Sequence, residues 1–211
     1  MVAVWSRSLV VVVACLWSSL GLAQSAAKVE EQPLTAHEVV SSVTEETVAF
    51  INSSKDLLKS DPDAYYGKVS ALLESVVAFD YIAKVVMANH YADAKESQRE
   101  AFAAVFKTTM VETFAKGMAN YSDFDIAVIP PDAKIDGQRK VEVIQEVKSK
   151  DGIHVVSYTM AQSKSGEWKL INVVLNGINL GKSFRDQFAQ AMRQHNNKID
   201  KVIAGWGKSA S

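Results

Sequence analysis

The spacing of apolar residues changes twice along this chain of 211 residues, and each change limits how the chain can fold. Up to about residue 120 the apolar residues recur every three or four positions, as they do on one face of an α-helix. Between about residues 124 and 175, short apolar segments are separated by turn signals at Asp151-Gly152 and Ser165-Gly166, which predicts antiparallel strands. From residue 182 to residue 195 the helical spacing returns. Helices and strands that are segregated in this way predict an α+β fold.

Local start signals place the predicted helices. Residues 35–38 form a Thr-x-x-Glu capping box, and Asp61-Pro62 combines a capping carboxylate with proline at the first helical position. A second capping box at 97–100 opens the longest predicted helix, which runs to about Asn120, some 24 residues or roughly 36 Å. The apolar residues of this long helix are predicted to fall on one face: Phe102, Val105, Phe106, Met110, Phe114 and Met118.

Residues 1–23 differ in composition from the rest of the chain. Arg7 is the only charged side chain among the first 27 residues, residues 8–20 are apolar or small, and Gly-Leu-Ala follows at 21–23. A positive region, an apolar region and small residues in this order are typical of a cleaved export signal. The apolar stretch is also shorter than the ~20 residues of a membrane span. We therefore expect residues 24–211 to be an exported single domain.

The one cysteine of the chain, Cys15, lies inside this predicted signal. The mature chain would then have no cysteine for a disulfide, a thiol nucleophile or a thiolate metal site. Residues 12–15, Val-Val-Ala-Cys, also resemble the lipobox of bacterial lipoproteins, whose cysteine is lipidated. The residues after Cys15 stay apolar, which favours an ordinary signal, and lipidation stays open as the alternative.

Composition and motifs argue against several functional classes. Lys and Arg number 23 against 24 Asp and Glu, a net charge of −1, whereas nucleic-acid-binding proteins normally carry a basic excess. There is no Gly-x-Ser-x-Gly elbow, and residues 177–183, Gly-Ile-Asn-Leu-Gly-Lys-Ser, have three residues between the glycines where a phosphate loop has four. The histidines are scattered without metal-ligand spacing: His37, His90, His154 and His195. The sequence thus predicts no nucleic-acid partner, no metal and no cofactor.

Carboxylates could still support catalysis in a cavity. Asp80, Asp123 and Asp125 lie beside apolar segments, where a carboxylate can act as a general base. No second catalytic group is paired with any of them in the sequence. Helix capping and solvation at strand ends are the favoured interpretation, so no residue is predicted to be catalytic. An enzyme that acts on a hydrophobic substrate stays open as the alternative function.

Four segments, in order, resemble one known family. Phe-Asp-Tyr-Ile-Ala-Lys at 79–84 resembles its Phe-Asp-x-x-x-(Arg/Lys) segment, and Ser-Gln-Arg-Glu-Ala-Phe at 97–102 resembles its (Glu/Ser)-Gln-Arg-x-x-Phe helix start. Trp-Lys-Leu-Ile-Asn-Val-Val-Leu-Asn-Gly-Ile-Asn-Leu at 168–180 is similar to Trp-Lys-Val-x-Asp-Val-x-x-x-Gly-(Val/Ile)-Ser-Leu, and Phe-Arg-Asp-Gln-Phe at 184–188 to Tyr-Arg-x-Gln-Phe. The family is that of the periplasmic phospholipid-binding proteins of the Mla lipid-asymmetry pathway, also called the toluene-tolerance family.

The chain departs from the family pattern at three places. Asn172 stands where the family usually has Asp, and Asn176 stands where an acidic residue is common. Residues 89–93, Asn-His-Tyr-Ala-Asp, replace an expected aromatic–Arg pair. A lipid pocket requires apolar surface, which these changes leave in place, so we expect the pocket to be kept.

The resemblance implies a fold and a function. The fold is a curved antiparallel sheet wrapped by helices, an NTF2-like variant, around an apolar lipid pocket. The function is a periplasmic carrier, not an enzyme, that shuttles phospholipid as cargo to maintain outer-membrane asymmetry. The implied partners are an outer-membrane lipoprotein–porin complex and an inner-membrane Mla-type ABC transporter complex. An adaptor that binds the transporter and no lipid is a further alternative.

The same resemblance suggests which residues would hold the lipid. Strand residues 141, 143, 155, 158, 173 and 175 are expected to face the long helix, although periodicity cannot distinguish a lipid cavity from a filled core. The candidates for the phosphate head group are Lys84, Lys182 and Arg185. The candidates for the pocket lining are Tyr81, Ile82, Val85, Val86, Phe102, Val105, Phe106, Met110, Phe114, Tyr121, Val141, Val143, Val155, Tyr158, Val173, Leu175 and Ile178.

Overall fold

The fold is α+β, as predicted, with helices before and after one antiparallel sheet. The computed structural model describes residues 33–119, 125–131, 137–150 and 152–208. The described residues from Leu34 onward belong to one compact unit. The predicted export signal with Cys15, and also Tyr121 and Asp123, lie outside the described residues.

The described residues form eight helices and five strands. The helices are α1 (Ala36–Ser53), α2 (Lys55–Ser60), α3 (Pro62–Glu74), α4 (Phe79–Met87), α5 (His90–Asp93), α6 (Glu96–Ala119), α7 (Leu180–Gln194) and α8 (Ile199–Gly205). The strands are β1 (Asp125–Val128), β2 (Lys140–Ser149), β3 (Gly152–Gln162), β4 (Trp168–Leu175) and β5 (Ile178–Asn179). Residues 177–183 comprise the turn after β4, the short strand β5 and the first residues of α7.

Two predicted helix starts are confirmed and one is wrong. The Thr35 backbone N–H donates to Glu38 Oε2 at 2.8 Å and the Glu38 N–H donates to Thr35 Oγ1 at 3.3 Å, which completes the capping box of α1. Asp61 caps α3 by accepting from the Ala64 N–H at 3.0 Å. The box at 97–100 is wrong, because α6 begins earlier, and the Gln98 side chain instead accepts from the Lys95 N–H at 3.0 Å.

The five strands pair in chain order, and each neighbouring pair is antiparallel. Val141 lies opposite Met160 and Val143 opposite Tyr158, while Tyr158 in turn lies opposite Val173. Residues opposite each other on antiparallel strands point to the same face. This face, the inner face, packs against α1, and the packed residues are Ala36, Val40, Val141, Val143, Met160 and Trp168.

The register corrects one sequence interpretation and orients a polar residue of β2. Val155 lies opposite Glu146 and an odd number of residues from Tyr158 on the same strand, so its side chain points away from the inner face. The prediction that all six strand residues share one face is therefore wrong for Val155. Gln145, a polar residue among the apolar residues of β2, lies on the inner face and is 3% exposed.

The helix α6 is buried on two sides rather than one. Its first half contributes Phe102 and Phe106 to an aromatic core formed with Phe188 and Trp206. Its second half contributes residues of a different face, Val111 and Ala115, to a second cluster with α1, α3 and α4. The main neighbours of α6 are α1, α3, α4 and α8, whereas the sheet is contacted mainly by α1, α4 and α7. The predicted single apolar face of α6 is therefore incomplete.

Candidate functional site

A short backbone link to the sheet positions α4, which carries several of the predicted site residues. The Leu170 N–H of β4 donates to Val76 O at 2.7 Å, and the Ala78 N–H donates to Leu170 O at 3.0 Å. The helix begins at the next residue, Phe79. Its buried face packs into the helical cores through Phe79, Ala83, Val86 and Met87.

The exposed face of α4 borders a groove, which we call the α4 groove. Its volume is ≈ 710 Å³ and it is open to solvent. Ligand pockets in proteins typically have volumes of about 300–1,000 Å³. The groove is lined by Tyr81, Lys84, Val85, Ala88, Asn89, Tyr91 and Ala92. Three of these seven residues, Tyr81, Lys84 and Val85, are among the predicted site residues.

Two cations lie close to the Tyr91 ring beside this groove. Lys84 Nζ is 5.2 Å and Arg99 Cζ is 4.4 Å from the centroid of the Tyr91 ring, distances at which a cation is attracted to the face of an aromatic ring. Arg99 is held in place because its Nε donates to Tyr91 O at 2.9 Å and its Nη2 donates to Ala92 O at 3.1 Å. The contact between Tyr91 and Arg99 is not indicated by the sequence, although residues 89–93 depart from the family pattern.

A second groove, on the other side of Tyr81, carries balanced charges. Its volume is ≈ 410 Å³, and its lining includes Asp80, Lys107 and Lys169. Lys107 Nζ lies 3.2 Å from Glu74 Oε1, and hydrogen bonds from Ser70 and then from Lys107 lower the pKa of Glu74. Lys169 Nζ donates to Ser75 O at 2.7 Å and lies 3.7 Å from Glu167 Oε2. Both lysines of this groove are thus already paired with carboxylates of the protein.

A polar chain crosses the apolar inner face of the sheet. Tyr158 donates its hydroxyl hydrogen to Gln145 Oε1 at 2.7 Å, and Gln145 Nε2 donates to Thr44 Oγ1 at 3.0 Å. Burial raises the pKa of Tyr158 to about 12. The chain joins α1 to two strands and provides a hydrogen-bond partner for each buried polar group in it.

The predicted lining residues fall into three groups by burial. Five are buried in packed cores: Val86, Phe102, Phe106, Val141 and Val143. Six are half-buried: Ile82, Val85, Val105, Met110, Tyr158 and Val173. Five are exposed: Tyr81, Phe114, Val155, Leu175 and Ile178. Within the half-buried group, Ile82, Val105, Met110 and Tyr158 also pack against these cores, so Val85, Val173 and the five exposed residues are the predicted lining residues that lie outside the described core clusters.

The predicted head-group residues lie on two helices. Lys84 lines the α4 groove, whereas Lys182 and Arg185 are exposed and three residues apart on α7. Asp80 and Asp125, the described candidates for a general base, are both solvent-exposed. Within the described ranges, no cluster of three or more His, Cys, Asp or Glu side chains could hold a metal. None of the helices in those ranges combines the length and apolar character needed to span a bilayer.

The sequence model of one protein family matches most of the chain. It is the model of the MlaC protein, and the match extends over residues 41–208. This chain belongs to the MlaC family. The matched residues include every described element except the first turn of α1.

Individual relatives agree with MlaC membership. The chain is 37% identical over 174 residues to the toluene tolerance protein ttg2D of Pseudomonas putida, covering 82% of this chain and 80% of that protein. It is 23% identical over 164 residues to the intermembrane phospholipid transport system binding protein MlaC of Haemophilus influenzae, covering 76% and 75%.

A solved structure with the same fold is also known. It is a phospholipid-binding protein from Ralstonia solanacearum in complex with a phospholipid, and it matches with a TM-score of 0.69 and 20% identity. The match covers 81% of this chain and 94% of that protein. At this level of identity the likeness confirms the predicted fold of this MlaC-family chain.

Proposed function

We propose that this chain is an exported, periplasmic protein that binds phospholipid and carries it between membranes. The observation that carries this proposal is the match to the MlaC family over residues 41–208. It is supported by the names of the two relatives, one of which is a phospholipid transport protein, and by a protein of the same fold that holds a phospholipid.

The acyl chains would contact apolar side chains that stay partly exposed on the inner face of the sheet and on the second half of α6. On the sheet, Val173 is half-buried and Leu175 is 38% exposed, and both lie on the inner face. On α6, Phe114 is 38% exposed and belongs to none of the core clusters of the described residues, whereas Met110 is half-buried against two of them. Apolar side chains that are not consumed by core packing are the surface that a hydrocarbon ligand requires.

A dry site for the acyl chains is the main energetic requirement of such a carrier. Burial of one methylene is worth about 0.8 kcal/mol, so two sixteen-carbon chains represent roughly 25 kcal/mol in water. Methionine adapts to irregular apolar shapes, which suits Met110 to a ligand whose chains vary in length. The phosphate head group would stay at the protein surface, where cationic side chains can meet it.

The proposed transport route connects two membrane complexes. Because the chain carries no nucleotide-binding motif, the energy for directional transfer would have to come from a partner. The partners that we propose are an inner-membrane ABC transporter complex and an outer-membrane lipoprotein–porin complex. Loaded protein should pass labelled phospholipid to vesicles that contain the cognate transporter and should retain it with plain vesicles.

Organic extraction followed by mass spectrometry tests the central proposal. The exported form, purified without detergent, should release phospholipid in near-stoichiometric amount. If no lipid is released, and none is taken up from labelled vesicles, the carrier function is wrong. A protein that binds the transporter but never lipid would be an adaptor. Turnover of steroid-like or lipid-like carbonyl substrates would instead identify an enzyme.

A further inference from the structure

The α4 groove contains a cation that is not neutralised within the described structure. Lys84 forms no ion pair with any carboxylate of the described residues, and its Nζ lies instead 5.2 Å from the Tyr91 ring. Arg99, whose Cζ lies 4.4 Å from the centroid of the same ring, donates hydrogen bonds to backbone carbonyls and forms no ion pair with a carboxylate of the described residues. The smaller groove differs, because Lys107 there is paired with Glu74. The α4 groove therefore contains a lysine that is not ion-paired with a carboxylate of the described residues.

The wall of the α4 groove contains a strained residue. Ala88 has φ 49° and ψ −126°, a combination that residues with a side chain rarely adopt. Such conformations are energetically unfavourable and cluster at ligand-binding and catalytic sites. The Ala88 N–H donates to Lys84 O at 3.2 Å, and Ala88 O accepts from the Tyr91 N–H at 3.1 Å. The strained turn thus brings Tyr91 back to Lys84 and shapes the groove between them.

The groove combines this charge with apolar surface. Val85, Ala88, Ala92 and the ring of Tyr81 line it next to the Lys84 ammonium. Tyr81 is 50% exposed although it is a large aromatic side chain. A cation beside an apolar wall matches an amphiphile, in which an anionic head group adjoins hydrocarbon.

We propose that the α4 groove binds the phosphate of a phospholipid head group, with Lys84 as the charge partner and Tyr91 as the residue that positions Lys84. This inference rests on the proposed function and adds to it the place of the head group. Of the three predicted head-group residues, only Lys84 is included in this proposal, because Lys182 and Arg185 lie outside the groove on a different helix. A phospholipid and free inorganic phosphate share an anionic phosphate group, so the experiment must distinguish between these two sources.

Calorimetric titration with monomeric dihexanoylphosphatidylglycerol tests the assignment on the delipidated protein. Lys84→Gln should weaken binding about tenfold, because a charge-assisted hydrogen bond to phosphate is replaced by a neutral one. Lys84→Arg keeps the charge and should keep most of the affinity. Lys182→Gln is the matched control, since it removes an equally exposed lysine, and it should bind like the unchanged protein. Circular dichroism of each variant verifies that folding is unchanged.

Two results would overturn the assignment. Equal affinity of Lys84→Gln and the unchanged protein would show that Lys84 does not meet the head group. Binding of inorganic phosphate as tight as that of the lipid would show that the groove is a phosphate site without a role for acyl chains. Analysis of the lipid that copurifies with the Lys84→Gln protein distinguishes failure of the head-group assignment from failure of the carrier function. If long-chain phospholipid still copurifies while Lys84 is dispensable, only the head-group assignment fails, whereas absence of lipid from the unchanged protein removes the carrier function itself.

Discussion

Phe102 and Phe114 lie on the same helix, α6, yet Phe102 is fully buried and Phe114 is 38% exposed. Phe102 meets Phe188 at 4.8 Å and Trp206 at 5.0 Å between ring centroids, both in edge-to-face geometry. Phe114 belongs to none of the packed clusters of the described residues. The two phenylalanines, which the sequence placed in one lipid-lining set, therefore have different roles in the structure.

Phe102→Ala should strongly destabilise the protein. A truncated phenylalanine in a packed core costs about 3–5 kcal/mol, because apolar contacts are lost and a cavity remains. Urea unfolding followed by circular dichroism measures the change in the free energy of unfolding. Phe114→Ala is the matched control on the same helix, and its cost should be under about 1 kcal/mol. Similar costs for the two variants would contradict the difference in packing.

Phe114→Ala should instead lower lipid retention. If acyl chains contact Phe114, the loss of its ring removes apolar surface from the site while the fold is kept. The molar ratio of copurified phospholipid to protein, measured by mass spectrometry, should fall relative to the unchanged chain. Ile153→Ala is a suitable control, because Ile153 is 59% exposed and lies on the face of the sheet opposite to the inner face. A retained ratio in Phe114→Ala would exclude this residue from the site.

Tyr158→Phe should destabilise the fold by leaving a buried acceptor without its donor. Gln145 Oε1 accepts the Tyr158 hydroxyl at 2.7 Å, and Gln145 is 3% exposed. An unsatisfied buried polar group costs about 1–3 kcal/mol. Tyr81→Phe, which removes the hydroxyl of a half-exposed tyrosine, should change the free energy of unfolding by less than about 0.5 kcal/mol. Equal free energies of unfolding for the two variants would show that the Tyr158–Gln145 hydrogen bond does not stabilise the fold.

The stability of the protein should fall steeply in strong alkali because of Tyr158. Burial raises the pKa of Tyr158 from 10.0 to about 12, so above pH 10 the unfolded chain releases this proton while the folded protein keeps it. The unfolded state then binds fewer protons, and the free energy of unfolding decreases as pH rises from 10 to about 12, by up to about 3 kcal/mol. Urea titrations across this range should give a shallower decline for Tyr158→Phe. Identical slopes would mean that Tyr158 ionises as readily in the folded state.

Thr35→Ala should weaken the start of α1. The Thr35 side chain accepts from the Glu38 N–H, and loss of such a cap costs about 1 kcal/mol. Glu38→Gln should be nearly neutral, since glutamine can make the same bond back to the Thr35 N–H. Thermal unfolding of the two variants checks both expectations. A larger loss for Glu38→Gln than for Thr35→Ala would indicate that charge, not the hydrogen bonds, stabilises this helix end.

The candidate site could be predicted only in part. Tyr81 and Lys84 belong to the recognisable segment 79–84 and Val85 directly follows it, and all three line the α4 groove. Tyr91 and Arg99 were missed because their contact depends on the backbone conformation of Ala88. An alanine in the sequence gives no indication that its φ angle will be positive. Val155 was assigned to the wrong face because both faces of β3 carry apolar residues, so alternation alone could not orient the strand.

The amino-acid sequence alone determined the class of fold and the position of most elements. The capping box at Thr35, the proline at position 62 and the strand from Trp168 to Leu175 depend on residues close together in the chain, where local propensity and hydrogen bonding dominate. The tertiary structure decided which phenylalanine of α6 is buried and that Gln145 faces inward. These outcomes depend on partners far away in the sequence, such as Phe188, Trp206 and Tyr158, whose packing no local pattern encodes.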